Sequence, residues 1–253
     1  MLNKVRFING NLIKILAALF MLLDHVGLIW GVEILRIIGR LSMPLFAFMI
    51  AEGCRYTKNK IDHFAFIFLL GALCQIVYAI TNPYEIYLSI LFTFSISILI
   101  IYALQYFKKC IFNEQGNVCE KILSGLLLIT AIIGTYFIHS IKDINGKWFY
   151  IDYGFWGSML PVFASIFDFR GVKLPARAKW LDSYYIKLFC FSIGVILLCL
   201  SLSVNQWYKW YSLFALIPLA LYSGNKGKLN LKYFFYIFYP LHIAVLYGLN
   251  MIL

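Results

Sequence analysis

Charged residues are scarce in this chain: only 13% of its 253 residues are charged. Soluble domains of ordinary composition carry about 25% charged residues. Hydrophobic residues make up 62% of the chain and aromatic residues 19%, and a soluble fold of this size has too little interior to bury them. The scarcity of charge therefore excludes an ordinary soluble domain. It predicts an all-α fold, a polytopic bundle of transmembrane helices solvated by lipid.

Several chemical signatures are also missing from the sequence. The six cysteines are scattered, with neither a CxxC pair nor the spacing of metal-ligating Cys/His clusters, so we expect no disulfide framework and no metal. The sequence contains no Walker A motif and no GxGxxG, GxSxG or HExxH pattern. The common soluble catalytic signatures are therefore excluded.

Acidic residues are few, 11 against 22 basic residues, which gives a net charge of +11. In a soluble protein this excess would suggest a nucleic-acid partner. Here the basic residues fall between apolar segments, where membrane orientation and anionic lipid account for them. We therefore expect membrane lipids, and no nucleic acid, as partners.

Nine apolar segments run from near the N-terminus to the last residue. The hydrocarbon core of a bilayer takes about 20 apolar residues per helix. The connections are short and polar, so we expect a single transmembrane domain over residues 1–253. The nine predicted spans are residues 11–30, 34–54, 63–80, 86–107, 122–140, 153–169, 184–204, 208–222 and 233–253.

The distribution of basic residues predicts the orientation of these spans. With nine spans, the loops on the side of the N-terminus hold about three times as many Lys and Arg residues as the loops on the other side. Cytoplasmic loops are the ones enriched in Lys and Arg. The count therefore predicts an N-in, C-out topology, and a bacterial plasma membrane is the expected location.

Asp24 and His25 interrupt the first apolar segment. Ionisable groups inside a membrane are costly and mark functional sites by default. Consecutive helical residues point about 100° apart, so at least one of the two must face the interior of the bundle. Histidine titrates near neutrality and serves as a general base, which makes His25 a catalytic candidate. The alternative is a packing hydrogen bond between His25 and another span.

Arg36 and Arg40 are four residues apart and share one helix face. They either pair with Asp24, hold an anionic group, or anchor the helix at the membrane interface. Pro44 follows them, and because proline lacks an amide hydrogen it either kinks the span or begins it.

His242 lies near the middle of the last predicted span. Tyr239 precedes it by three residues and shares its face, and Pro240 frees a carbonyl that must be satisfied locally. A buried histidine beside a kink is typical of sites in transporters and membrane enzymes. A role in packing is the alternative.

Two further carboxylates lie near the ends of predicted spans. Glu52 precedes Arg55 by three residues, so it is either part of a structural ion pair or a substrate-binding group. Asp152, followed by Tyr153, stands at the outer mouth of the sixth span, where it either caps that helix or orients a histidine.

Four blocks of this sequence resemble the TraX family, the membrane proteins named for the pilin N-acetyltransferase of conjugative plasmids. The blocks occur in the order of the family and together cover about a third of the chain. They are Lys14 to Gly27 with its Asp24-His25 pair, Arg36 to Thr57 with Glu52-Gly53, Asp152-Tyr-Gly154 with Gly157, and Leu221 to Gly227 leading to Phe234 through His242.

The resemblance implies transfer of an acetyl group from acetyl-CoA to an amine or hydroxyl, because the family is similar to transmembrane acyltransferases that use a membrane-embedded histidine. The acceptor would be a pilin or other peptide, a small molecule or a surface glycan. His25, oriented by Asp24, or else His242 would deprotonate the acceptor or carry the acyl group covalently. Arg40 or Arg36 would stabilise the oxyanion or bind the acceptor.

The remaining predicted site residues fall into two groups. Those expected to bind the acceptor are Arg36, Glu52, Asp152, Tyr153 and Tyr239. Those expected to bind the phosphates of acetyl-CoA are Arg55, Lys58, Lys60, Arg170 and Lys173.

Two rival functions remain open at the level of sequence. A proton-coupled small-molecule transporter would also need intramembrane Asp, His and Glu residues with proline kinks, although no inverted repeat is visible. A structural partner in the assembly of a pilus or surface polymer would work without His25.

Overall fold

The computed structural model describes residues 6–81, 84–113, 116–203, 206–229 and 231–252. The described chain is mostly helical, which confirms the all-α fold class. Two short 3₁₀ helices, Ala176–Leu181 and Trp207–Ala215, supplement the α-helices. The α-helices are α1 Gly10–Ile29, α2 Glu33–Gly39, α3 Ser42–Tyr56, α4 Lys60–Thr81, α5 Ile90–Ile111, α6 Val118–Ser140, α7 Gly154–Ser165, α8 Tyr184–Ser201, α9 Leu216–Ala220 and α10 Lys232–Ile252.

Within the described residues, six helical stretches are long and apolar enough to cross a membrane. The segment Ile237–Asn250 inside α10 is a shorter apolar helix. The protein is therefore a helical membrane protein, while the count of nine spans and the N-in, C-out orientation remain predictions. The six stretches are Gly10–Ile29, Glu33–Tyr56, Lys60–Ile80, Ile90–Ile111, Val118–Ser140 and Tyr184–Ser201.

Two of the nine apolar segments form shorter elements than we expected. Residues 153–169 contain α7, which has 12 residues and rises about 18 Å. Residues 208–222 divide between the 3₁₀ helix Trp207–Ala215 and the five-residue α9. Hydropathy alone does not reveal such interruptions, because the apolar composition continues through them.

The second predicted span is built from two consecutive helices. Arg40 and Leu41 separate α2 from α3, and Pro44 is the third residue of α3. The first turn of a helix does not need an amide donor from that position. Pro44 therefore marks the beginning of α3, one of the two alternatives that the sequence left open.

Three short strands in the connections between helices form a small sheet, which was not predicted from the sequence. It contains β1 Glu85–Leu88, β2 Asp143–Ile144 and β3 Lys147–Ile151, in the order β1-β3-β2. β1 runs parallel to β3, whereas β2 and β3 form an antiparallel hairpin. Asn145 and Gly146 join them with φ angles of 54° and 76°, a two-residue turn in which both residues take positive φ.

The chain divides into two compact units. The first contains residues up to Met49 and from Val195 onward, and the second contains Ile50–Gly194. Leu45, Phe48 and Tyr222 are fully buried in the first unit, as are Ile98 and Leu160 in the second. The single domain over residues 1–253 remains a prediction.

A glycine-containing turn of the first unit holds the N-terminus of α1. The amide of Gly10 donates to the Asn225 carbonyl at 2.7 Å, and the Asn11 side chain donates to the Leu229 carbonyl at 2.7 Å. Gly227 has a φ of +94°, and a Cβ there would lie 2.8 Å from Asn11 Nδ2. This turn is the start of the fourth block of family resemblance, and the contacts give it a structural role.

Candidate functional site

Two histidines from distant parts of the chain meet inside the first unit. His25 belongs to α1 and His242 to α10, and their ring centroids are 5.0 Å apart with the rings nearly perpendicular. The sequence identified each histidine as a candidate. It gave no indication that the two are neighbours, because 216 residues separate them.

The main chain fixes the protonation pattern of both rings. His25 Nδ1 donates to the Met21 carbonyl at 2.8 Å, and His242 Nδ1 donates to the Phe238 carbonyl at 2.8 Å. In a neutral imidazole, a hydrogen on Nδ1 leaves Nε2 as a lone-pair acceptor. Both histidines are therefore held in the tautomer that a general base or nucleophile needs at Nε2.

His242 is the more enclosed of the two histidines. His242 is 5% exposed. Its ring stacks on the ring of Phe238 at a centroid distance of 4.9 Å, and the ring of Tyr239 lies edge-on to it at a centroid distance of 5.9 Å. Among the described residues, no group forms a hydrogen bond with its buried Nε2. Buried polar atoms are nearly always satisfied, so an unsatisfied one calls for an explanation such as a catalytic role.

Asp24 forms ion pairs with Arg36, which lies in α2, and with Arg40, the C-cap residue of α2. Arg36 Nη1 lies 2.8 Å from one carboxylate oxygen, and Arg40 Nη2 contacts the other. The ring of Tyr208 lies 5.8 Å and 5.5 Å from the two guanidinium carbons. Of the three alternatives that the sequence left open for these arginines, the structure shows the pairing with Asp24. The three groups together carry one net positive charge.

Asp24 thus pairs with the two arginines and not with the His25 ring, which it was expected to orient. Its carboxylate meets the two arginines, whereas His25 bonds back to Met21 within α1. The cause is the helical geometry, because adjacent residues project in directions about 100° apart. The main chain, rather than Asp24, holds the His25 ring in place.

Glu52 lies in a buried charge network of the second unit. Lys187 Nζ contacts its carboxylate, and Arg55 Nη1 lies 3.8 Å away. Asp168 joins the network at 3.3 Å from Arg55 Nε and 3.9 Å from Lys187 Nζ. The predicted ion pair of Glu52 with Arg55 is confirmed, and this arrangement favours a structural role for Glu52. Lys187 and Asp168 were not identified from the sequence, which does not show which loop meets which helix.

The residues predicted to bind acetyl-CoA share the second unit with this network. The guanidinium carbons of Arg55 and Arg170 lie 5.5 Å and 4.5 Å from the ring centre of Tyr56, which is 48% exposed. Lys60 lies over the ring of Tyr102. Lys58 and Lys173 are exposed. Two arginines around an accessible aromatic ring form a surface suited to phosphate groups.

Asp152 and Tyr153 connect the end of β3 to the start of α7. The Asp152 carbonyl accepts a hydrogen bond from Thr93 Oγ1 at 2.7 Å, and its carboxylate accepts one from the Tyr153 amide at 3.1 Å. Tyr153 has a φ of 59°, in the left-handed region that few residues other than glycine adopt. Asp152 therefore supports the tight entry into α7, but the N-cap residue of α7 is Tyr153 and the helix has no side-chain cap, so the capping role that the sequence allowed is not observed.

The other two histidines have partners within the second unit. His63 Nδ1 forms a hydrogen bond with Tyr102 Oη at 2.8 Å, and His139 Nε2 forms one with Ser158 Oγ at 3.0 Å. These bonds tie α4 to α5 and α6 to α7. They contrast with the buried Nε2 of His242, and they make His139 a matched control in experiments on intramembrane histidines.

Comparison with known proteins links the chain to one family. The model of the family described as TraX protein matches residues 9–250. The probable fimbrial assembly protein FimC, serogroup H1, of Dichelobacter nodosus is 24% identical over 266 residues, covering 95% of each chain. An uncharacterized protein of Rickettsia prowazekii (strain Madrid E) is 29% identical over 155 residues, covering 60% of this chain and 52% of that protein. No solved structure matches the chain significantly.

Proposed function

The chain belongs to the TraX family, and we propose that it is an integral-membrane acyltransferase that transfers an acetyl group from acetyl-CoA to an amine or hydroxyl. The acceptor would belong to a pilin or other peptide, a small molecule or a surface glycan. The name of the Dichelobacter nodosus relative, a probable fimbrial assembly protein, supports an acceptor of the pilin type. The expected location is the bacterial plasma membrane, with lipid as the surrounding partner.

The pair of His25 and His242 is the observation that carries this proposal. Acyl transfer to an amine or hydroxyl requires removal of a proton from the attacking group. Two imidazoles whose Nδ1–H groups donate to main-chain carbonyls lie 5.0 Å apart at their centroids, so Nε2 of each is the atom left for that chemistry. A helix-packing role alone would not require His242 Nε2 to be buried without a partner among the described residues.

Arg36 and Arg40 supply positive charge in the same unit. Both are ion-paired with Asp24, and two cations share this one carboxylate. During acyl transfer the carbonyl oxygen becomes an oxyanion, and preorganised donors that meet this charge lower the barrier. Under the proposal the arginines therefore stabilise the oxyanion or hold an anionic part of the acceptor.

The surface formed by Arg55, Arg170 and Tyr56 would hold the phosphates of acetyl-CoA. Arginine pairs bind phosphate through several charge-assisted hydrogen bonds. The exposed Lys58 and Lys173 add positive charge from the flanking loops. Under the proposal, acetyl-CoA is a substrate and no metal takes part.

Release of CoA from labelled acetyl-CoA tests the proposal with purified full-length protein in detergent. We expect the wild-type protein to release CoA, and His25→Gln or His242→Gln to lower the rate by about 100-fold or more. His139→Gln, which also changes a half-buried histidine, should retain the wild-type rate. A wild-type protein that neither binds acetyl-CoA nor releases CoA would refute the proposal.

A proton-coupled transporter is the second candidate, favoured by the buried carboxylates Glu52 and Asp168. Intramembrane carboxylates serve as proton relays in transporters. Here both carboxylates form ion pairs with Lys187 and Arg55, an arrangement that a structural role also explains. Movement of solute that depends on a proton gradient in proteoliposomes, together with no release of CoA, would favour this candidate.

A further inference from the structure

The two histidines have the same anchor but different surroundings. Each donates Nδ1–H to the carbonyl four residues earlier on its own helix. His242 is 5% exposed and stacks on Phe238, whereas His25 is only partly buried. This asymmetry between two rings in contact suggests that they do not perform the same step.

We propose that the two histidines divide the reaction, with His242 Nε2 carrying the acyl group covalently and His25 Nε2 acting as the general base. This inference rests on the proposed acyltransferase function and assigns the two roles within it. Its basis is the buried Nε2 of His242, which meets no hydrogen-bond partner among the described residues and lies in a ring 5.0 Å from that of His25.

In the first half-reaction, the Nε2 lone pair of His242 attacks the carbonyl carbon of the thioester. A carbon–nitrogen bond forms, the carbon–sulfur bond breaks, and CoA leaves as a thiolate. His242 becomes an acyl-imidazolium whose Nδ1 hydrogen stays on the Phe238 carbonyl. A hydrogen bond from the positively charged ring to that carbonyl is stronger than one from the neutral ring.

In the second half-reaction, the acceptor nitrogen or oxygen attacks the same carbonyl carbon while His25 Nε2 takes its proton. The carbon–nitrogen bond to His242 breaks, and Nε2 recovers its lone pair. His25 then passes the proton to the CoA thiolate, either directly or through water. The net reaction converts acyl-CoA and acceptor into acylated acceptor and CoA.

The burial of each ring decides which role it takes. An acyl-imidazole is readily hydrolysed, so the ring that carries it must be shielded from bulk water, which keeps hydrolysis slow relative to transfer. His242, enclosed by Phe238 and Tyr239, meets that condition better than His25. A general base must in turn reach an acceptor that arrives from outside, which suits the more accessible His25.

Isotope exchange tests the proposal in the absence of any acceptor. Full-length protein in lipid nanodiscs is incubated with unlabelled acetyl-CoA and tritiated CoA, and label entering acetyl-CoA is measured. A covalent acyl-enzyme catalyses this exchange, whereas direct transfer does not. Digestion of acid-quenched protein and mass spectrometry then ask whether the peptide containing His242 carries an acetyl group.

We expect exchange by the wild-type protein and by the control His139→Gln. At alkaline pH, where CoA is largely thiolate and reacts without a base, His25→Gln should keep exchange within about threefold of wild type, while its release of CoA by hydrolysis falls about 100-fold. His242→Gln should lose both reactions. An acetylated peptide containing His242 from the wild-type protein supports the proposal even if His242→Gln does not fold.

Three results would overturn the proposal. Release of CoA without exchange by the wild-type protein would indicate direct transfer, and would leave the acyltransferase function standing. Exchange that survives in His242→Gln but disappears in His25→Gln would reverse the two roles. Failure of the wild-type protein to release CoA, exchange label or bind acetyl-CoA would remove the proposed function as well.

Discussion

Asp24 is one carboxylate shared by two arginines in a largely buried position. The side chains of Asp24, Arg36 and Arg40 are 13%, 16% and 9% exposed. Removing one member of such a group leaves a buried charge without compensation, which costs more than the intact pair contributes. The stability of the first unit should therefore be sensitive to this residue.

We predict that Asp24→Asn lowers the free energy of unfolding by about 3–5 kcal/mol, because the carboxylate shared by Arg36 and Arg40 is lost while both cations stay largely buried. Unfolding in mixed detergent micelles measures the change. Glu33→Ala, which removes an exposed carboxylate from the first turn of α2, should change stability by less than about 0.5 kcal/mol. Equal stability of Asp24→Asn and wild type would show that the ion pairs are not structural.

Residue types were more predictable from sequence than their partners. The pairing of Arg36 and Arg40 with Asp24 was one of three alternatives that the sequence left open, and the structure shows it. The orientation of the His25 ring could not be predicted, because no sequence pattern indicates the competing hydrogen bond to the Met21 carbonyl. Nor did the sequence show that Lys187 would reach Glu52.

At the scale of elements, α1 and α2 pack closely through glycines. A Cβ at Gly27 would lie 2.7 Å from the Val32 carbonyl oxygen, and a Cβ at Gly39 would collide with Asp24. Both glycines therefore allow α2 to lie against α1, which positions the arginines at the carboxylate. The glycines belong to the first two blocks of family resemblance.

We predict that Gly39→Ala destabilises the protein by about 1–3 kcal/mol, because the added methyl group forces Asp24 and α2 apart. It should also lower the rate of CoA release, since the arginines move with the helix. Both effects can be measured on one purified preparation.

Gly134→Ala provides the matched control for this substitution. Gly134 lies within α6, and a Cβ there meets nothing within 4 Å, so alanine should stabilise the helix by up to about 1 kcal/mol. A loss of stability in Gly134→Ala as large as in Gly39→Ala would contradict the packing explanation.

Apolar length predicted where the long helices lie but not every interruption. The first predicted span, 11–30, differs by one residue at each end from α1 at Gly10–Ile29. The sheet was not predicted, because β1 has only four residues and its partner, β3, lies about 60 residues later in the chain. Pairing between such distant short strands is set by tertiary structure rather than by local pattern.

At the scale of the whole molecule, the orientation in the membrane is the main untested feature. We predict that the hairpin of β2 and β3 faces the outside and that the loop after α3 faces the cytoplasm, following the excess of Lys and Arg. A variant lacking the six native cysteines provides the background. Asn145→Cys and Lys58→Cys are introduced separately and treated with a membrane-impermeant maleimide on intact cells.

Asn145→Cys should be labelled in intact cells, and Lys58→Cys only after the cells are opened. The opposite pattern would reverse the topology and place the Arg55 and Arg170 surface outside the cytoplasm, away from the cellular pool of acetyl-CoA. That result would argue against its role in binding the donor.

The meeting of α1 with α10 is a property of the whole fold that sequence patterns do not contain. Hydropathy describes each helix separately, and every apolar span is compatible with many neighbours. Their positions inside apolar segments identified both histidines, and both lie in blocks of the family resemblance, but only the folded chain brings their rings together. The candidate site was therefore predictable as a set of residues and not as an arrangement.

Acetylation by membranes tests the central claim most directly, because they hold the natural lipids and any native acceptor of the membrane. Membranes that contain equal amounts of wild-type protein, His25→Gln, His242→Gln or His139→Gln are incubated with acetyl-CoA labelled in the acetyl group. Wild type and His139→Gln should transfer label to an acceptor, and the other two should transfer about 100-fold less or none. Labelling by His25→Gln and His242→Gln equal to that of wild type would contradict a histidine-dependent acyltransferase.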